Sequence, residues 1–300
     1  MSDDVSILIT GAAGFTGQQA CRHFQQKGWN VTAVVRETSF VCEGIHVIQC
    51  DLTDKKAVDC LIRVEEPTYI LHLAGSNSVQ SSWENPVKTM EANLLSTIYL
   101  LEAVRTSSPS TKIVLVGSAL QYNPELKEKP HHPYALSKTV QIQVAIHWGD
   151  LFNLDIVLAK PTNLIGPGPS SGICALITNH IVQMEREKKI DGFHIMNLAA
   201  KRDFLDVRDA VGAYEKLFLF GERSRTYDIA TGKLVTIREV VGELQSLTNV
   251  PNFVIDKKVS EVEVVKPTDV SHMRNLGWMP SYSLHQSLTD TLAYFRSQNC

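Results

Sequence analysis

No stretch of this chain approaches the ~18–20 consecutive apolar residues that a membrane-spanning helix needs. Its first residues, Met1-Ser2-Asp3-Asp4, are acidic where a secretory signal is basic, and the apolar run behind them, Val5 to Ile9, is too short for a signal core. Cysteine is sparse and scattered. Cys21, Cys42, Cys50, Cys60, Cys174 and Cys300 form no C-x-x-C pair and have no paired histidines, which argues against a zinc centre and predicts reduced, mostly buried thiols. An excess of one charge is missing too: 29 basic residues face 32 acidic ones, a net charge of −3. The chain is therefore expected to be cytoplasmic, with no metal, no nucleic-acid partner and no membrane partner. A phosphate-bearing ligand must be held by local donors. Repeats and low-complexity tracts are absent, and 44% hydrophobic with 20% charged residues is ordinary globular composition.

What is present is a rhythm. Short Val/Ile-rich runs at Val5–Thr10, Asn30–Arg36, His46–Cys50, Thr68–Ala74, Lys112–Gly117, Leu154–Lys160 and Thr226–Ile229 read as strands. Helix-period segments at about 15–27, 54–65, 86–107, 133–153, 172–188 and 206–221 lie between them. Continuous apolar runs such as Ile113-Val114-Leu115-Val116 suit strands buried on both faces. Such alternation predicts an α/β fold, a doubly wound parallel sheet covered by helices on both faces, with ligands beyond the carboxyl ends of the strands. After Asn163 a Gly/Pro-rich stretch, Ile165 to Gly172, breaks the pattern. Residues 1–163 with 203–231 are expected to form the dinucleotide-binding domain. Residues 164–202 with 232–300 are expected to form a smaller α/β substrate lobe.

The first strand runs into Gly11-Ala12-Ala13-Gly14-Phe15-Thr16-Gly17 and then a helix. Glycines at that junction permit a tight turn and let backbone N–H groups approach a pyrophosphate. This predicts a dinucleotide site. The second strand ends Val34-Val35-Arg36-Glu37, with a neutral residue where an NAD-binding unit carries its acid. Arg36 suits a 2′-phosphate and favours NADP, with NAD as the alternative if Glu37 serves as the acid one position late. Asp51-Leu52 would border the adenine, or Asp51 would cap the next helix.

Tyr134 and Lys138, four residues apart, share a helix face. A phenol is a poor acid or base at neutral pH, and a neighbouring ammonium is expected to lower its pKa. Ser118, just after a strand, completes a set suited to moving a proton on and off a carbonyl oxygen. With the glycine loop, these residues make the chain resemble the extended short-chain dehydrogenase/reductase family, also called the NAD-dependent epimerase/dehydratase family, of Rossmann fold. The likeness continues through His72-Leu73-Ala74-Gly75, Asn93 in Glu91-Ala92-Asn93-Leu94, Asn163 after Lys160-Pro161-Thr162, Lys201 to Asp209 and Leu276 to Pro280.

That resemblance implies a catalytic set of Ser118, Tyr134 and Lys138 organised by Asn93. It implies cofactor contacts from Gly11, Gly14, Phe15, Thr16, Gly17, Arg36, Asp51, Leu52, Leu73, Ala74, Gly75, Tyr134 and Lys138. Ser78, Ser118, Asn163, Arg202, Lys266 and Arg274 would meet a nucleotide-linked sugar. Simpler roles stay open: His72 as a satisfied core histidine, Asn163 as the start of the Gly/Pro loop, Trp278 as packing, Arg202 and Arg274 in surface ion pairs. Family dehydratases carry Asp-Glu after the catalytic Ser or Thr, whereas Ala119-Leu120 here cannot move a proton. The nearest likeness is to reductases of nucleotide-linked 4-keto-6-deoxyhexoses, except that Lys266-Pro267 replaces their Arg-Pro. Alternatives are an NAD-dependent sugar-nucleotide 4-epimerase and a non-catalytic dinucleotide sensor. The resemblance also implies a homodimer paired through the helices at 86–107 and 133–153.

Overall fold

A computed structural model describes residues 5–37, 40, 42–188, 192–195, 197–251, 254–256 and 265–298; Met1 to Asp4 and Cys300 lie outside these. The elements in order are β1 (Ser6–Thr10), α1 (Phe15–Gln26), β2 (Asn30–Val35), β3 (His46–Gln49), α2 (Lys55–Glu65), β4 (Tyr69–His72), α3 (Val79–Glu84), α4 (Pro86–Met90), a wide π turn (Glu91–Leu95), α5 (Ser96–Ser107), β5 (Lys112–Val116), α6 (Pro133–Phe152), β6 (Asp155–Pro161), β7 (Asn163–Ile165), α7 (Ile173–Glu187), β8 (Phe193–Ile195), β9 (Lys201–Arg202), β10 (Phe204–Asp206), α8 (Val207–Phe220), β11 (Thr226–Ile229), β12 (Val235–Thr236), α9 (Ile237–Ser246), β13 (Val254–Asp256), α10 (Ser271–Asn275) and α11 (Leu284–Gln298).

Seven strands form one sheet in the order β11-β6-β5-β4-β1-β2-β3. The β1–β2, β1–β4, β2–β3, β4–β5 and β5–β6 pairings are all parallel. The order reverses beside β1, and in sheets of this kind ligands bind at that reversal, beyond the carboxyl ends of the strands. Ile113, Val114 and Leu115 of β5 are fully buried, as are Ile156, Val157 and Leu158 of β6. Each such side chain contributes roughly 1.5–3 kcal/mol by leaving water, so the unbroken apolar runs specify a sheet covered on both faces. Among the described residues Cys21, Cys50 and Cys174 are buried, Cys42 is half-buried, Cys60 is exposed, and all five are free thiols.

The chain divides into two compact units, Met1–Pro161 with Val211–Tyr227, and Thr162–Ala210 with Asp228–Cys300. These units differ from the expected boundaries at residues 162–163, 203–210 and 228–231, which group with the smaller unit. Three aspartates three residues apart tie the second of these stretches to it. Buried Asp203 accepts hydrogen bonds from Thr231 N–H and Oγ1 and from Gly232 and Lys233 N–H, all at 2.8–3.1 Å. Asp206 accepts from Ser287 Oγ and from the Arg208 guanidinium. Asp209 accepts from Ser281 N–H and Oγ and from Tyr282 N–H, while its carbonyl accepts from Trp278 Nε1. Trp278 is therefore packing. The smaller unit's apolar core gathers Ile177 and Ile181 of α7, Val240 and Leu244 of α9, and Leu288 and Leu292 of α11.

The single helix expected at 86–107 is in fact α4, a π turn and α5. A π turn inserts one extra residue into the helix, and such bulges gather at functional sites. Here it carries Asn93.

Candidate active site

The glycine loop follows β1 directly. Gly11 has φ +69°, and a Cβ there would stand 2.9 Å from the Ala74 amide nitrogen. A Cβ at Gly17 would lie 2.2 Å from the Gly11 carbonyl oxygen. Both positions are closed to side chains by backbone, and this lets α1 seat hard against β1. Gly14 is the N-cap of α1 and has no side chain with which to cap it. The first-turn N–H groups of Phe15, Thr16 and Gly17 have no acceptor within the helix. Beyond Gly14 the space is open except for the Gly11 carbonyl. Uncapped amides, a positive helix end and open space fit the pyrophosphate of a dinucleotide.

The catalytic candidates meet at the carboxyl end of β5. Ser118 is half-buried, and its amide donates to Gln121 Oε1 at 3.1 Å. The Gln121 side-chain amide in turn donates to the Lys138 carbonyl at 3.2 Å, and Tyr122 N–H donates to Thr139 Oγ1 at 3.2 Å. The loop bearing Ser118 is thus stitched to α6, the helix bearing Tyr134 and Lys138, both buried. Lys138 Nζ donates to the Val116 carbonyl at 2.8 Å. Asn93 is fully buried: its Oδ1 accepts from Ser76 N–H at 2.7 Å, and its Nδ2 donates to Ser76 O and Ser137 Oγ. Ser137 Oγ donates to the Tyr134 carbonyl at 2.8 Å.

A second polar chain runs from the glycine loop to α6. Thr10 Oγ1 accepts from Leu73 and Ala74 N–H at 3.2 Å and sits 2.8 Å from His72 Nδ1. His72 Nε2 lies 2.9 Å from Thr97 Oγ1, which donates to Asn93 O and accepts from Gln141 Nε2. Donor counting assigns the histidine proton to Nε2, because the Thr97 hydroxyl hydrogen is already committed. His72 is thus a satisfied core histidine. Burial, then the Lys138 charge, push its pKa down to about 3.

Burial raises the Tyr134 pKa, and the nearby Ser118 hydroxyl offsets only part of that rise. The expectation that Lys138 lowers it is corrected, since burial acts on both groups. Removed from water, the Lys138 ammonium is itself destabilised and its pKa falls to about 7. A cation half lost at neutral pH offers a phenolate little. In the unfolded chain Lys138 keeps its ordinary value of 10.5. Between about pH 7 and pH 10 the unfolded state therefore holds a proton that the folded state has released. The stability contributed by this group rises with pH across that window, by up to about 1.4 kcal/mol per unit, and the penalty is fully present below it. Lys138→Met removes the slope. Urea unfolding should show the variant gaining on wild type at about pH 6.5 and that gain shrinking by about 2 kcal/mol by about pH 8.5. An equal difference at both would show that the ammonium stays solvated.

The remaining candidates fall into two groups. In the larger unit, Arg36 is exposed, 3.6 Å from Glu37, so acid and base stand side by side at the end of β2. Asp51 accepts from Thr53 N–H and Oγ1, which lower its pKa, and the cap of α2 is Asp54 instead. The Leu52 side chain packs into the core, which leaves its backbone for the expected adenine contact. Ser78 Oγ caps α3 by accepting from Ser81 N–H, with its hydroxyl hydrogen still available. Gly75 lies where the Asn93 amide oxygen passes. In the smaller unit, Asn163 Nδ2 donates to Asp203 O at 3.0 Å, Arg202 Nη1 donates to Lys201 O, and Lys266 and Arg274 are exposed. That unit also carries a depression of about 520 Å³ whose charged groups, Glu185 and Arg296, are already paired with each other.

Sequence reasoning missed Gln121, Ser137, Thr10, Thr97 and Gln141. Only Ser137 carries a signal, lying inside the Tyr-x-x-Ser-Lys stretch. Among the described residues, no group of three or more His, Cys, Asp or Glu is placed to hold a metal, and no helix is long and apolar enough to cross a membrane.

Residues 7–230 match the model of the family described as NAD dependent epimerase/dehydratase. Over 97% of both chains this protein is 28% identical to the GDP-6-deoxy-D-mannose reductase of Pseudomonas aeruginosa. It is 25% identical, over 98% of its length and 99% of the relative's, to a putative UDP-glucose 4-epimerase of Methanocaldococcus jannaschii. Among solved structures, RMD from Pseudomonas aeruginosa complexed with NADPH superposes with a TM-score of 0.84 at 25% identity, covering 98% of each chain. The UDP-glucose 4-epimerase of Thermus thermophilus with NAD gives 0.82 at 23% identity, over 97% of this chain and 99% of that one, a likeness of fold.

Proposed function

The chain belongs to the NAD dependent epimerase/dehydratase family, and on that premise we propose that it is a sugar-nucleotide reductase. It uses NADPH to reduce the 4-keto group of a nucleotide-linked 4-keto-6-deoxyhexose. The observation that carries this reading is the meeting of Ser118, Tyr134 and Lys138 at the carboxyl end of β5, on the edge of the sheet where the uncapped amides of α1 face outward from β1. A relative similar over 97% of both chains, a GDP-6-deoxy-D-mannose reductase, supports the reaction class.

Bound at the glycine loop, a nicotinamide dinucleotide supplies the hydride. The chain's own groups do the rest. A phenol whose pKa is held above its ordinary value is protonated at neutral pH, so Tyr134 is ready to donate a proton to the substrate oxygen as charge develops there. The Ser118 hydroxyl, beside it, donates a hydrogen bond to the same oxygen. Lys138, anchored on the Val116 carbonyl, has further donors for the cofactor ribose. Asn93 and Ser137 fix the backbone from which the phenol projects. Ser78, Asn163, Arg202, Lys266 and Arg274 belong to this reading as ligands of the nucleotide sugar. A cytoplasmic homodimer is also part of it, supported by exposed Val87, Leu95, Leu151 and Phe152 on the expected pairing helices.

Loss of NADPH absorbance with 4-keto-6-deoxyhexoses carried on GDP, UDP, CDP or dTDP tests the proposal. A protein that consumes no NADPH with any of them, but interconverts 4-hydroxy epimers through bound NAD, is instead an epimerase, a reading favoured by the UDP-glucose 4-epimerase relatives. Arg36 sets the cofactor: Arg36→Ala should lower the NADPH-over-NADH ratio of kcat/KM by about 10- to 100-fold, about 1.4–2.8 kcal/mol. An unchanged ratio would leave Arg36 without this role.

A further inference from the structure

The residue that opens the catalytic helix is itself titratable. His132 is extended (φ −161°, ψ 161°) and serves as the N-cap of α6. Its carbonyl accepts the first helical bond, from Leu136 N–H at 3.2 Å, and its ring Nδ1 accepts from Ala135 N–H at 2.9 Å. The ring lies nearly parallel to that of Tyr134, 21° apart with centroids 5.9 Å distant. Ser, Thr, Asn or Asp, the common caps, keep an acceptor throughout the neutral and mildly acid range. Imidazole does not. With Nδ1 accepting, the ring proton is on Nε2, and a second proton must go onto Nδ1. That turns an acceptor into a donor facing Ala135 N–H and puts a positive charge at the positive end of the helix.

We propose that His132 is a positioning residue for Tyr134: its neutral ring holds the first turn of α6, and with it the phenol two residues on, and protonation releases that turn. The activity therefore has an acid limb set by the helix cap. This rests on Tyr134 being the proton donor of the proposed reaction.

The surroundings decide where the limb falls. His132 borders a groove of about 450 Å³ whose other walls, among them Trp83, Pro86, Val87, Met90 and Leu136, carry no charge. On its own segment the titratable neighbours are His131 and Tyr134. Burial, then the His131 charge, both lower the His132 pKa from its ordinary 6.5, so the neutral, capping form of the ring is the one favoured at neutral pH.

Two readouts test the cap, one independent of the substrate. Exchange protection of the Ala135 amide, corrected for intrinsic rate, should fall about five-fold in wild type between about pH 7.5 and about pH 5. His132→Asn, which keeps a cap acceptor at every pH, should hold its protection across the range, and His132→Ala should be weakly protected at both ends. The kcat of wild type should fall over the same interval with little change in KM, and His132→Asn should lack that limb. His131→Asn should retain it. A flat exchange profile in wild type, or the same acid limb in His132→Asn as in wild type, overturns the proposal. Exchange that behaves as expected in a protein oxidising NADPH with no sugar nucleotide overturns the reading of the reaction instead.

Discussion

Tyr134→Phe is expected to lower kcat about 10³-fold while NADPH affinity and folding stay close to wild type. The substitution removes one oxygen from a ring 7% exposed, whose backbone is held by Ser137 rather than by its own hydroxyl. What disappears is the proton donor. General acid catalysis of this kind is worth about 10²–10⁴-fold. Because the phenol is needed as charge appears on the substrate oxygen, kcat and kcat/KM should fall together. Steady-state NADPH oxidation gives the rates, and fluorescence titration with NADPH gives the affinity. If the variant turned over within a factor of ten of wild type, some other group would have to supply the proton.

Asp203→Asn is expected to destabilise the smaller unit by about 3 kcal/mol, a large part of the roughly 5–15 kcal/mol that holds a domain together. The carboxylate takes four donors, and its two oxygens divide them evenly. An amide is nearly isosteric but turns one oxygen into an NH₂, so two of those donors meet a donor. The segment Thr231–Lys233 loses its clamp while the apolar core of α7, α9 and α11 is untouched. Urea unfolding should show an earlier midpoint at unchanged slope for the transition that reports this unit. A midpoint within error of wild type would mean that water replaces the carboxylate at no cost.

Much of the fold was legible because parallel strands covered on both faces leave uninterrupted apolar runs. Each expected strand agrees with the structure to within two residues at either end. The candidate chemistry was legible for a related reason. Tyr134 and Lys138 share a helix face, and the glycine loop stands where a strand becomes a helix, so local spacing carries the information. The rest depends on what meets in space. An amphipathic pattern does not register the one additional residue of a π turn, so 86–107 reads as a single helix. Lys138 looks like a cation in any sequence, and only its burial shows that the charge is half lost at neutral pH. Gln121 has no motif, and its importance comes from bridging the Ser118 loop to α6. Asp203, Asp206 and Asp209 lie in a stretch that the resemblance links to substrate, whereas their carboxylates are spent on backbone and hydroxyl donors of their own unit.

Two of those carboxylates also impose an order on synthesis. Asp206 and Asp209 reach their partners, Ser287, Ser281 and Tyr282, across more than seventy residues. Until that stretch has left the ribosome, Asp206 has only its neighbour Arg208 to bind and Asp209 lacks its side-chain and backbone partners. A ribosome stalled before residue 281 therefore displays a smaller unit that cannot shut, and a protease added then should trim it while sparing the completed protein.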